Sequence, residues 1–222
     1  MADHRVLIVA FDALRPDMVT PDLMPNLSRF ATGGVHFANN RSTYPTETRV
    51  NQTTLVTGAS PSRHGIVGNQ FLDLIASPEK LLNTGDENEL AAADKRLGGK
   101  LVDTPVLSEI LVANGLDLAV VSAGTPGGCR ILNHKAEAQG LFRFALKRPD
   151  ASVPNNRIAA VIDKIGPIPE HRIPSIEWLT YTTDVYLNYI EPEDAPAVTI
   201  LWYCEPDNSY HYKGIGTPAN LS

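Results

Sequence analysis

Residues 44–69 read YPTETRVNQTTLVTGASPSRHGIVGN, and this stretch places a hydroxyl side chain at the start of a helix. Thr48 follows an extended Tyr-Pro segment, and the residues from there to Thr57 suit a helix that Gly58 would end. Backbone N–H groups at a helix N-terminus favour negative charge, so an ionised threonine oxygen and a phosphoryl group could be held there together. Because a threonine hydroxyl is a weak nucleophile unless a base or a metal activates it, the stretch predicts metal ligands elsewhere in the chain.

The composition is that of one globular α/β domain over residues 1–222. Hydrophobic residues make up 43% of the chain and charged residues 20%, which suits a single folded unit with a substantial core. Seventeen prolines and sixteen glycines exceed what a helical bundle would tolerate, and they lie mostly between apolar runs. The formal net charge of −6 leaves no basic surface for a nucleic-acid backbone, so a nucleic acid polymer is not an expected partner.

The cysteines and the N-terminal residues bear on where the protein works. Cys129 and Cys204 are far apart and in unlike contexts, so we expect isolated buried thiols rather than a disulfide framework. The apolar run near the N-terminus is broken by Asp12 and is too short and too acidic for a signal peptide or a membrane span. We therefore expect a cytoplasmic protein without a membrane partner, and the sequence leaves its oligomeric state open.

Three continuous apolar runs predict the strands of a parallel sheet. They are residues 5–11 (RVLIVAF), 118–123 (LAVVSA) and 197–203 (AVTILWY), and such runs are typical of strands buried on both faces. Helical patterns alternate with these runs, which predicts an α/β protein whose mainly parallel sheet is sandwiched between helices. The predicted helices cover residues 25–31, 104–114, 156–165 and 175–189.

Four local features complete the predicted organisation. Residues 35–38 suit a short strand, and a threonine N-cap followed by proline places the start of one helix at Thr104. Residues 72–101 are polar and irregular, without a sustained period, and predict a surface excursion or cap on the domain. The glycine-rich turn at residues 124–128 lacks the Gly-Lys-Ser/Thr ending of a P-loop, which favours a plain tight connection over a phosphate cradle.

Polar side chains follow the predicted strands at what should be one edge of the sheet. Asp12 comes directly after the first strand, and Asp207 and His211 follow the last one. Open parallel sheets bind ligands outside the carboxyl ends of their strands, so these residues could converge although they are far apart in sequence. If residues 207–211 are helical, their spacing puts the Asp207 carboxylate and the His211 imidazole on one face, and both groups are good zinc ligands.

Each of these residues has a common structural interpretation when it is taken alone. An aspartate after a buried strand, such as Asp12, is more often a helix cap or a turn former than a ligand. A pair with the spacing of Asp207 and His211 is more often solvated than bound to a metal. Thr48 alone would most often be a helix cap and Asn69 a turn residue. Their joint occurrence in chain order is what favours a catalytic site.

The joint pattern resembles the nucleotide pyrophosphatase/phosphodiesterase family of the alkaline phosphatase superfamily. The matching pieces, in chain order, are FDALRPD (11–17), MPNLSRFATGGV (24–35), YPTETRVNQTTLVTG (44–58), SPSRHGIVGN (60–69) and EPDNSYH (205–211). The resemblance implies an alkaline-phosphatase-like fold and a hydrolase that acts on a small phosphodiester, nucleotide or phosphonate. It also implies two zinc ions about 4 Å apart that clamp an in-line displacement at phosphorus.

The resemblance further implies roles for single residues. Asp12 would bind the zinc on the nucleophile side, and Thr48 would be the metal-bound nucleophile that forms a phospho-threonine intermediate. Asp207 and His211 would bind the second zinc, which would hold the hydrolytic water. Asn69 would donate its side-chain amide to a phosphate oxygen and so stabilise the developing negative charge.

The chain departs from the family pattern in its metal ligands. Proteins of this family complete the two sites with a later adjacent Asp-His pair and a further histidine, whereas the only adjacent Asp-His here, at residues 3–4, precedes the first strand. The resemblance therefore implies the N-terminal part of a longer, apparently truncated catalytic domain. We expect residues 1–222 by themselves to bind zinc weakly and to be inactive. Two alternatives are a phosphonate hydrolase of the phosphonoacetate type and a non-catalytic α/β binding domain with a vestigial site.

Overall fold

The computed structural model describes residues 4–217, which form an α/β fold around a four-stranded parallel sheet. The strands in chain order are β1 Val6–Phe11, β2 Gln70–Phe71, β3 Leu82–Asn83, β4 Leu118–Ser122, β5 Arg143–Ala145 and β6 Val198–Tyr203. The sheet has the order β1-β6-β4-β5 with all strands parallel, while β2 and β3 form a separate antiparallel pair. The prediction of a mainly parallel sheet is confirmed, and β5, with only three residues, is a strand that the sequence pattern missed.

Helices pack on both faces of this sheet. In chain order they are α1 Pro25–Thr32, α2 Thr48–Thr57, α3 Pro61–His64, α4 Glu87–Arg96, α5 Leu107–Ala113, α6 Pro126–Leu132, α7 Ala136–Gln139, α8 Asn155–Ile165, α9 Ile176–Val185, α10 Glu191–Glu193 and α11 Asp207–Lys213. One hydrophobic cluster joins β6 to α4 and α6 through Ile200, Leu90 and Leu132. A second cluster joins the opposite face to α8 and α9, with Leu201 and Val161 among its buried residues. The predicted sandwich of helices around the sheet is therefore confirmed.

The central strands are buried, whereas the edge strand β1 is not. All five residues of β4 and all six of β6 are buried, as the apolar runs at 118–123 and 197–203 predicted. In β1, by contrast, Val6 is 53% and Leu7 is 44% exposed. The prediction that residues 5–11 are buried on both faces is wrong for the described chain, because β1 has a hydrogen-bonded neighbour on one side only, β6.

Two local predictions are also corrected by the structure. Residues 35–38 form no strand, and Phe37 among them is 76% exposed, because no neighbouring strand pairs with this segment. The helix predicted from Thr104 begins later, as α5. There the Glu109 carboxylate accepts the backbone N–H of Val106 at 2.9 Å, which makes Val106 the residue that precedes the first turn.

Residues 72–101 are more regular than their polar composition predicted. They contain β3 and α4, and the Asp86 carboxylate caps α4 by accepting the backbone N–H of Asn88 at 2.8 Å. On the inner face of this helix, Leu90 and Ala93 are fully buried in the core. The interpretation as an irregular surface excursion therefore does not hold for α4, whose few apolar residues stand among charged ones in the sequence.

The cysteines match the expectation of isolated thiols. Cys129 and Cys204 are both free and buried. Burial raises the pKa of the Cys129 thiol to about 12 and that of the Cys204 thiol to about 11, so both stay protonated at neutral pH. Among the helices of residues 4–217, none is long and apolar enough to cross a membrane.

His134 should make the stability of the fold sensitive to acid. Its side chain is buried, neither ring nitrogen has a hydrogen-bond partner among the described residues, and burial lowers its pKa to about 4 despite the nearby Asp94. The unfolded chain takes up this proton below the ordinary histidine pKa of 6.5, whereas the folded chain does so only near pH 4. Stability from this residue is therefore present above pH 6.5 and is lost as the pH falls towards 4.

We expect the free energy of unfolding to drop by about 2 kcal/mol between pH 7.5 and pH 5 on account of His134. Urea unfolding of His134→Leu at both pH values should show a smaller drop by that amount. His36→Leu, which changes an exposed histidine, serves as the control and should keep the wild-type difference. An unchanged pH dependence in His134→Leu would contradict the assignment.

Candidate active site at the carboxyl ends of the strands

The segments after β1 and β6 are joined by backbone hydrogen bonds. The N–H of Asp12 donates to the carbonyl of Tyr203 at 3.0 Å, and the N–H of Asp207 donates to the carbonyl of Asp12 at 3.0 Å. The parallel ladder thus continues beyond the ends of both strands. Asp12 and Asp207, 195 positions apart in the chain, are brought together in this way, as their positions at strand ends predicted.

Thr48 is the first residue of α2 and lies beside Asp12. The Thr48 hydroxyl donates to Oδ1 of Asp12 at 3.5 Å, and the indole Nε1–H of Trp202 donates to Oδ2 of the same carboxylate at 3.2 Å. The helix has the bounds that the sequence predicted: Glu47 before it is extended, and Gly58 after it has a φ of +63°, in the left-handed region that glycine adopts readily. The structure therefore brings the hydroxyl to the N-terminus of a helix and next to a carboxylate.

His211 lies one helical turn beyond Asp207 in α11. Its Nε2 is 3.5 Å from Oδ1 of Asp207, and its side chain is 73% exposed, so the imidazole faces solvent. The Glu205 carboxylate fixes the start of this helix, because it accepts the backbone N–H groups of Ser209 at 3.0 Å and of Ser175 at 2.7 Å. The predicted helical spacing of the Asp-x-x-x-His pair is confirmed.

Asn69 is held against the first turn of α2 by its backbone and its side chain. Its side-chain oxygen accepts the backbone N–H of Arg49 at 3.2 Å, and its own N–H donates to the Glu47 carboxylate. Its carbonyl accepts the Thr84 hydroxyl at 2.8 Å. The amide oxygen is engaged by Arg49, whereas the amide –NH₂ has no partner among the described residues. The –NH₂ is therefore free to donate to a ligand near the first turn of α2.

The two aspartates raise the local negative charge of the site. Burial, and next the charge of Asp207, raise the pKa of Asp12 to about 6, and burial raises the pKa of Asp207. The nearby Arg49 guanidinium acts in the opposite direction on both carboxyls, while burial lowers its own pKa. Two neighbouring carboxyl groups whose pKa values are raised by burial favour a bound cation.

The donor groups suit a divalent metal, but their number is small. Carboxylates from Asp12 and Asp207, the His211 imidazole and the Thr48 hydroxyl are oxygen and nitrogen donors of the kind that zinc accepts. Within residues 4–217, however, no cluster of three or more His, Cys, Asp or Glu side chains could hold a metal ion. The chemistry of the donors fits zinc, and each ion would have fewer protein ligands than the three that a catalytic zinc normally keeps.

Two openings meet at the candidate nucleophile. A small cavity of about 40 Å³ and a wide groove of about 890 Å³ are both lined by Asp12, Thr48, Trp202 and Asp207. The groove runs past the exposed segment 40–46, whereas the cavity extends inward between α2 and the ends of β4 and β5. A group that reacts with the Thr48 hydroxyl would therefore lie at the junction of a narrow and a wide space.

Two cations and an indole at this site were not predicted from the sequence. Arg49, Lys147 and Trp202 line the small cavity together with Thr48. Arg49 could have been noted because it directly follows the proposed nucleophile, and Trp202 because it stands near a strand end. Lys147 carries no such signal, because it follows β5, a strand too short to be recognised from sequence.

Other residues of the motif stretches are structural. His64 is buried, with Nε2 3.1 Å from the Thr54 hydroxyl and Nδ1 accepting the backbone N–H of Ile66 at 3.2 Å. In the glycine-rich turn, the N–H of Gly127 donates to the carbonyl of Gly85 at 3.0 Å, and a Cβ on Gly127 would overlap the carbonyl of Thr84. Close packing explains the glycine there, as the reading of a plain tight connection predicted.

The chain matches one family model along nearly its whole length. The fold and the strand-end residues define an α/β protein with a hydroxyl and paired carboxylates at the carboxyl edge of a parallel sheet. The model for type I phosphodiesterase / nucleotide pyrophosphatase covers residues 6–221. The chain belongs to this family, and the resemblance stated from its motifs is confirmed.

Curated relatives match over short stretches. A venom phosphodiesterase from Macrovipera lebetinus is 46% identical over 52 residues, which is 23% of this chain and 6% of the relative. Ectonucleotide pyrophosphatase/phosphodiesterase family member 3 from Mus musculus is 35% identical over 71 residues, which is 31% of this chain and 8% of the relative. The chain thus aligns with less than a tenth of the length of either relative.

Two solved structures share the fold. Phosphonoacetate hydrolase from Sinorhizobium meliloti 1021, in complex with phosphonoacetate, has a TM-score of 0.68 at 21% identity, over 98% of this chain and 50% of that chain. Murine ectonucleotide pyrophosphatase / phosphodiesterase 5, inactive and in complex with AMP, has a TM-score of 0.57 at 16% identity, over 97% of this chain and 47% of that chain. The chain spans about half the length of these structures, and the likeness concerns the fold alone.

Proposed function

We propose that this chain carries the nucleophile of a metal-dependent phosphodiesterase or nucleotide pyrophosphatase that works through a phospho-threonine intermediate. The observation that carries the proposal is the position of the Thr48 hydroxyl, at the N-terminus of α2 and 3.5 Å from Oδ1 of Asp12. Membership of the type I phosphodiesterase / nucleotide pyrophosphatase family supports the same class of reaction. The substrates would be small phosphodiesters or nucleotides.

Zinc is the metal that we propose for this site. Asp12 and Thr48 would hold one ion, and Asp207 and His211 would hold the other. When bound, the ions would lower the pKa of the threonine hydroxyl and neutralise charge on the phosphoryl group. The cytoplasmic location expected from the sequence stays a prediction.

The remaining steps are carried out by Thr48, Asn69 and the first turn of α2. The Thr48 hydroxyl loses its proton to solvent, its oxygen forms a bond to phosphorus, and the bond from phosphorus to the leaving alcohol or phosphate breaks. The backbone N–H groups of the first turn of α2 face the negative charge that develops there, except that of Arg49, which donates to Asn69. The free amide of Asn69 donates to a non-bridging oxygen, and Glu47 keeps Asn69 in place through the Asn69 backbone N–H. Water then cleaves the phospho-threonine and restores the hydroxyl. Of these groups, the Thr48 hydroxyl lies at the junction of the cavity and the groove.

A phosphonate hydrolase is the second candidate function. The compact, cationic cavity beside Thr48 favours it, because a small phosphonate would fit there better than a nucleoside. The shared fold with phosphonoacetate hydrolase agrees with this reading. Turnover of phosphonoacetate compared with that of a diester such as bis(4-nitrophenyl) phosphate separates the two.

The decisive experiment detects the covalent intermediate. A zinc-loaded form of the protein with complete metal sites is mixed with bis(4-nitrophenyl) phosphate, quenched in acid and analysed by peptide mass spectrometry. We expect a phosphorylated or nitrophenyl-phosphorylated peptide with the modification on Thr48. Thr46→Ala, which changes an exposed neighbour, should keep the adduct. An adduct on another residue, or turnover of the diester without any adduct in rapid-quench samples, would refute the proposed intermediate.

Zinc titration tests the opposing view of a non-catalytic binding domain. For residues 1–222 alone we expect weak zinc binding and no diester turnover, because each ion would have two protein ligands. Isothermal titration with the metal, and loss of the heat signal in Asp207→Ala, would locate that weak site. Tight binding of two ions per chain together with diester hydrolysis would show that the two-ligand expectation is wrong and would exclude a purely binding role.

A further inference from the structure

We infer that Arg49 and Lys147 form a subsite for a second, compact anionic group of the substrate, a carboxylate or a phosphoryl group adjacent to the reacting phosphorus. The inference rests on the proposed function, because it places the reacting phosphorus at Thr48. It concerns the small cavity, whose cations have no role in the chemistry described above. A carboxylate and a phosphoryl group have in common that each is a small, negatively charged group.

Arg49 is a partly buried cation without a direct partner. Its Nε is shielded from solvent and has no hydrogen-bond acceptor, and none of the ion pairs within 4.0 Å in residues 4–217 includes its side chain. Asp12 and Asp207 act on the guanidinium only from a longer distance. A guanidinium carries five N–H donors in a planar fork, and leaving the buried Nε–H of Arg49 unpaired is costly. The Arg49 guanidinium is therefore suited to bind an anion that the free protein does not contain.

Lys147 brings a second cation to the same cavity from another part of the fold. It lies in the turn after β5, and its ammonium has no ion pair or hydrogen bond among the described residues. Gln52, which also lines the cavity, is 1% exposed, and its Oε1 has no partner. Because the oxygen and nitrogen of a glutamine amide are interchangeable assignments, Gln52 can present an N–H to the same ligand. Arg49 and Gln52 thus bring buried polar atoms without partners to one space, which the exposed Lys147 also lines.

The size of the cavity restricts the group that it can take. A volume of about 40 Å³ holds a group the size of a carboxylate or a phosphoryl group, and a nucleobase would not fit. A simple diester has one negative charge and would leave the cations of this cavity unmatched. Substrates with a second anionic group next to phosphorus, such as a phosphonocarboxylate or a pyrophosphate, satisfy both the charge and the volume. Larger substituents would extend into the wide groove.

Neutralisation of the aspartates is the competing role for Arg49. If Arg49 only balanced Asp12 and Asp207, it would form an ion pair with one of them, and no such pair lies within 4.0 Å in the described part of the chain. That role also leaves Lys147 and Gln52 unexplained. A pair of substrates that differ in one charge can separate the two roles, since a purely structural arginine would affect both substrates equally.

The test compares phosphonoacetate with phosphonoacetamide, which has nearly the same shape but lacks the carboxylate charge. Both are titrated calorimetrically into the zinc-loaded protein and assayed for turnover. A second comparison, of inorganic pyrophosphate with orthophosphate, tests whether the second anionic group can be a phosphoryl group. We expect Arg49→Gln and Lys147→Gln each to weaken phosphonoacetate or pyrophosphate binding by about tenfold, a difference of about 1.4 kcal/mol. Binding of phosphonoacetamide and orthophosphate should change less than twofold. Arg49→Lys should recover part of the loss.

Arg63→Gln removes one exposed positive charge outside the cavity and is the matched control. Equal losses for the charged and the neutral ligand, or an equal effect of Arg63→Gln, would overturn the subsite. In a form of the protein with complete metal sites, absence of turnover with every substrate would refute the proposed hydrolase. A preference of the wild type for the doubly anionic ligand that the variants lack would still retain the subsite. The two failures are therefore distinguishable.

Discussion

Thr48→Ala is expected to lower kcat for diester hydrolysis by about 10⁴-fold or more in a zinc-loaded form of the protein with complete metal sites, because removal of an attacking group leaves only binding and charge stabilisation. The variant should remain folded. Thr48 is half-buried, and among the described residues its hydroxyl makes one hydrogen bond, to Asp12 at 3.5 Å, while the start of α2 does not depend on a side-chain cap. The measurement is kcat with bis(4-nitrophenyl) phosphate, together with the melting temperature of each variant.

Two further variants serve as controls for the Thr48→Ala measurement. Thr48→Ser keeps a hydroxyl at the same position and should retain measurable turnover, whereas Thr46→Ala should match the wild type. If Thr48→Ala hydrolysed the diester as fast as the wild type, another group would be the nucleophile. The metal-bound water would then be the first candidate, since it needs no threonine.

Arg143→Met is expected to reduce the free energy of unfolding by about 3–5 kcal/mol, because it breaks a buried charge network. Arg143 is 1% exposed, and its guanidinium donates to the carbonyls of Asn133 at 2.9 Å and Ala151 at 3.2 Å. It also lies 3.6 Å from the buried Glu87 carboxylate, which accepts Nε–H of Arg130 at 2.8 Å. Loss of Arg143 leaves the Asn133 carbonyl with the backbone N–H of Ala136 as its donor, removes the guanidinium donor from the partly buried Ala151 carbonyl, and reduces the positive charge around Glu87.

Urea unfolding at pH 7 provides the measurement. Arg148→Met is the control, because Arg148 pairs with the exposed Asp150 at 3.3 Å, and such surface pairs contribute about 0–1 kcal/mol. Glu87→Gln should also destabilise, since it removes the carboxyl group that accepts Nε–H of Arg130 and lies beside Arg143. Burial raises the pKa of this carboxyl, and the two arginines act in the opposite direction. A loss below about 1 kcal/mol in Arg143→Met would show that the network contributes little to stability.

Local sequence patterns predicted the strands that are buried on both faces and the helix whose end is marked by a glycine. The runs at 118–123 and 197–203 are apolar throughout because β4 and β6 have helices on both faces. Helix α2 was recognised because Gly58, with a φ of +63°, ends it. The same reasoning failed for residues 5–11, because the sequence of an apolar strand does not show whether the strand lies at the centre or at the edge of the sheet.

Elements with weak patterns had to be read from the structure. α4 has Leu90 and Ala93 on its buried face among many charged residues, so its composition suggested a surface segment. β5 is too short to show a period, although its Phe144 lies in the core. In both cases, contacts with distant parts of the chain stabilise an element that its own residues specify only weakly.

The sequence by itself determined the chemical groups and their local setting: a hydroxyl at a helix start, an aspartate after a strand, and an Asp-His pair one turn apart in a helix. Only the tertiary structure decided which of these groups meet. The order β1-β6-β4-β5 puts the ends of β1 and β6 side by side, so Asp12 and Asp207 share one negative site next to Thr48. It also brings Lys147 to the cavity of Arg49. Such neighbours are set by strand pairing between distant segments, which leaves no period or spacing in the sequence around either residue.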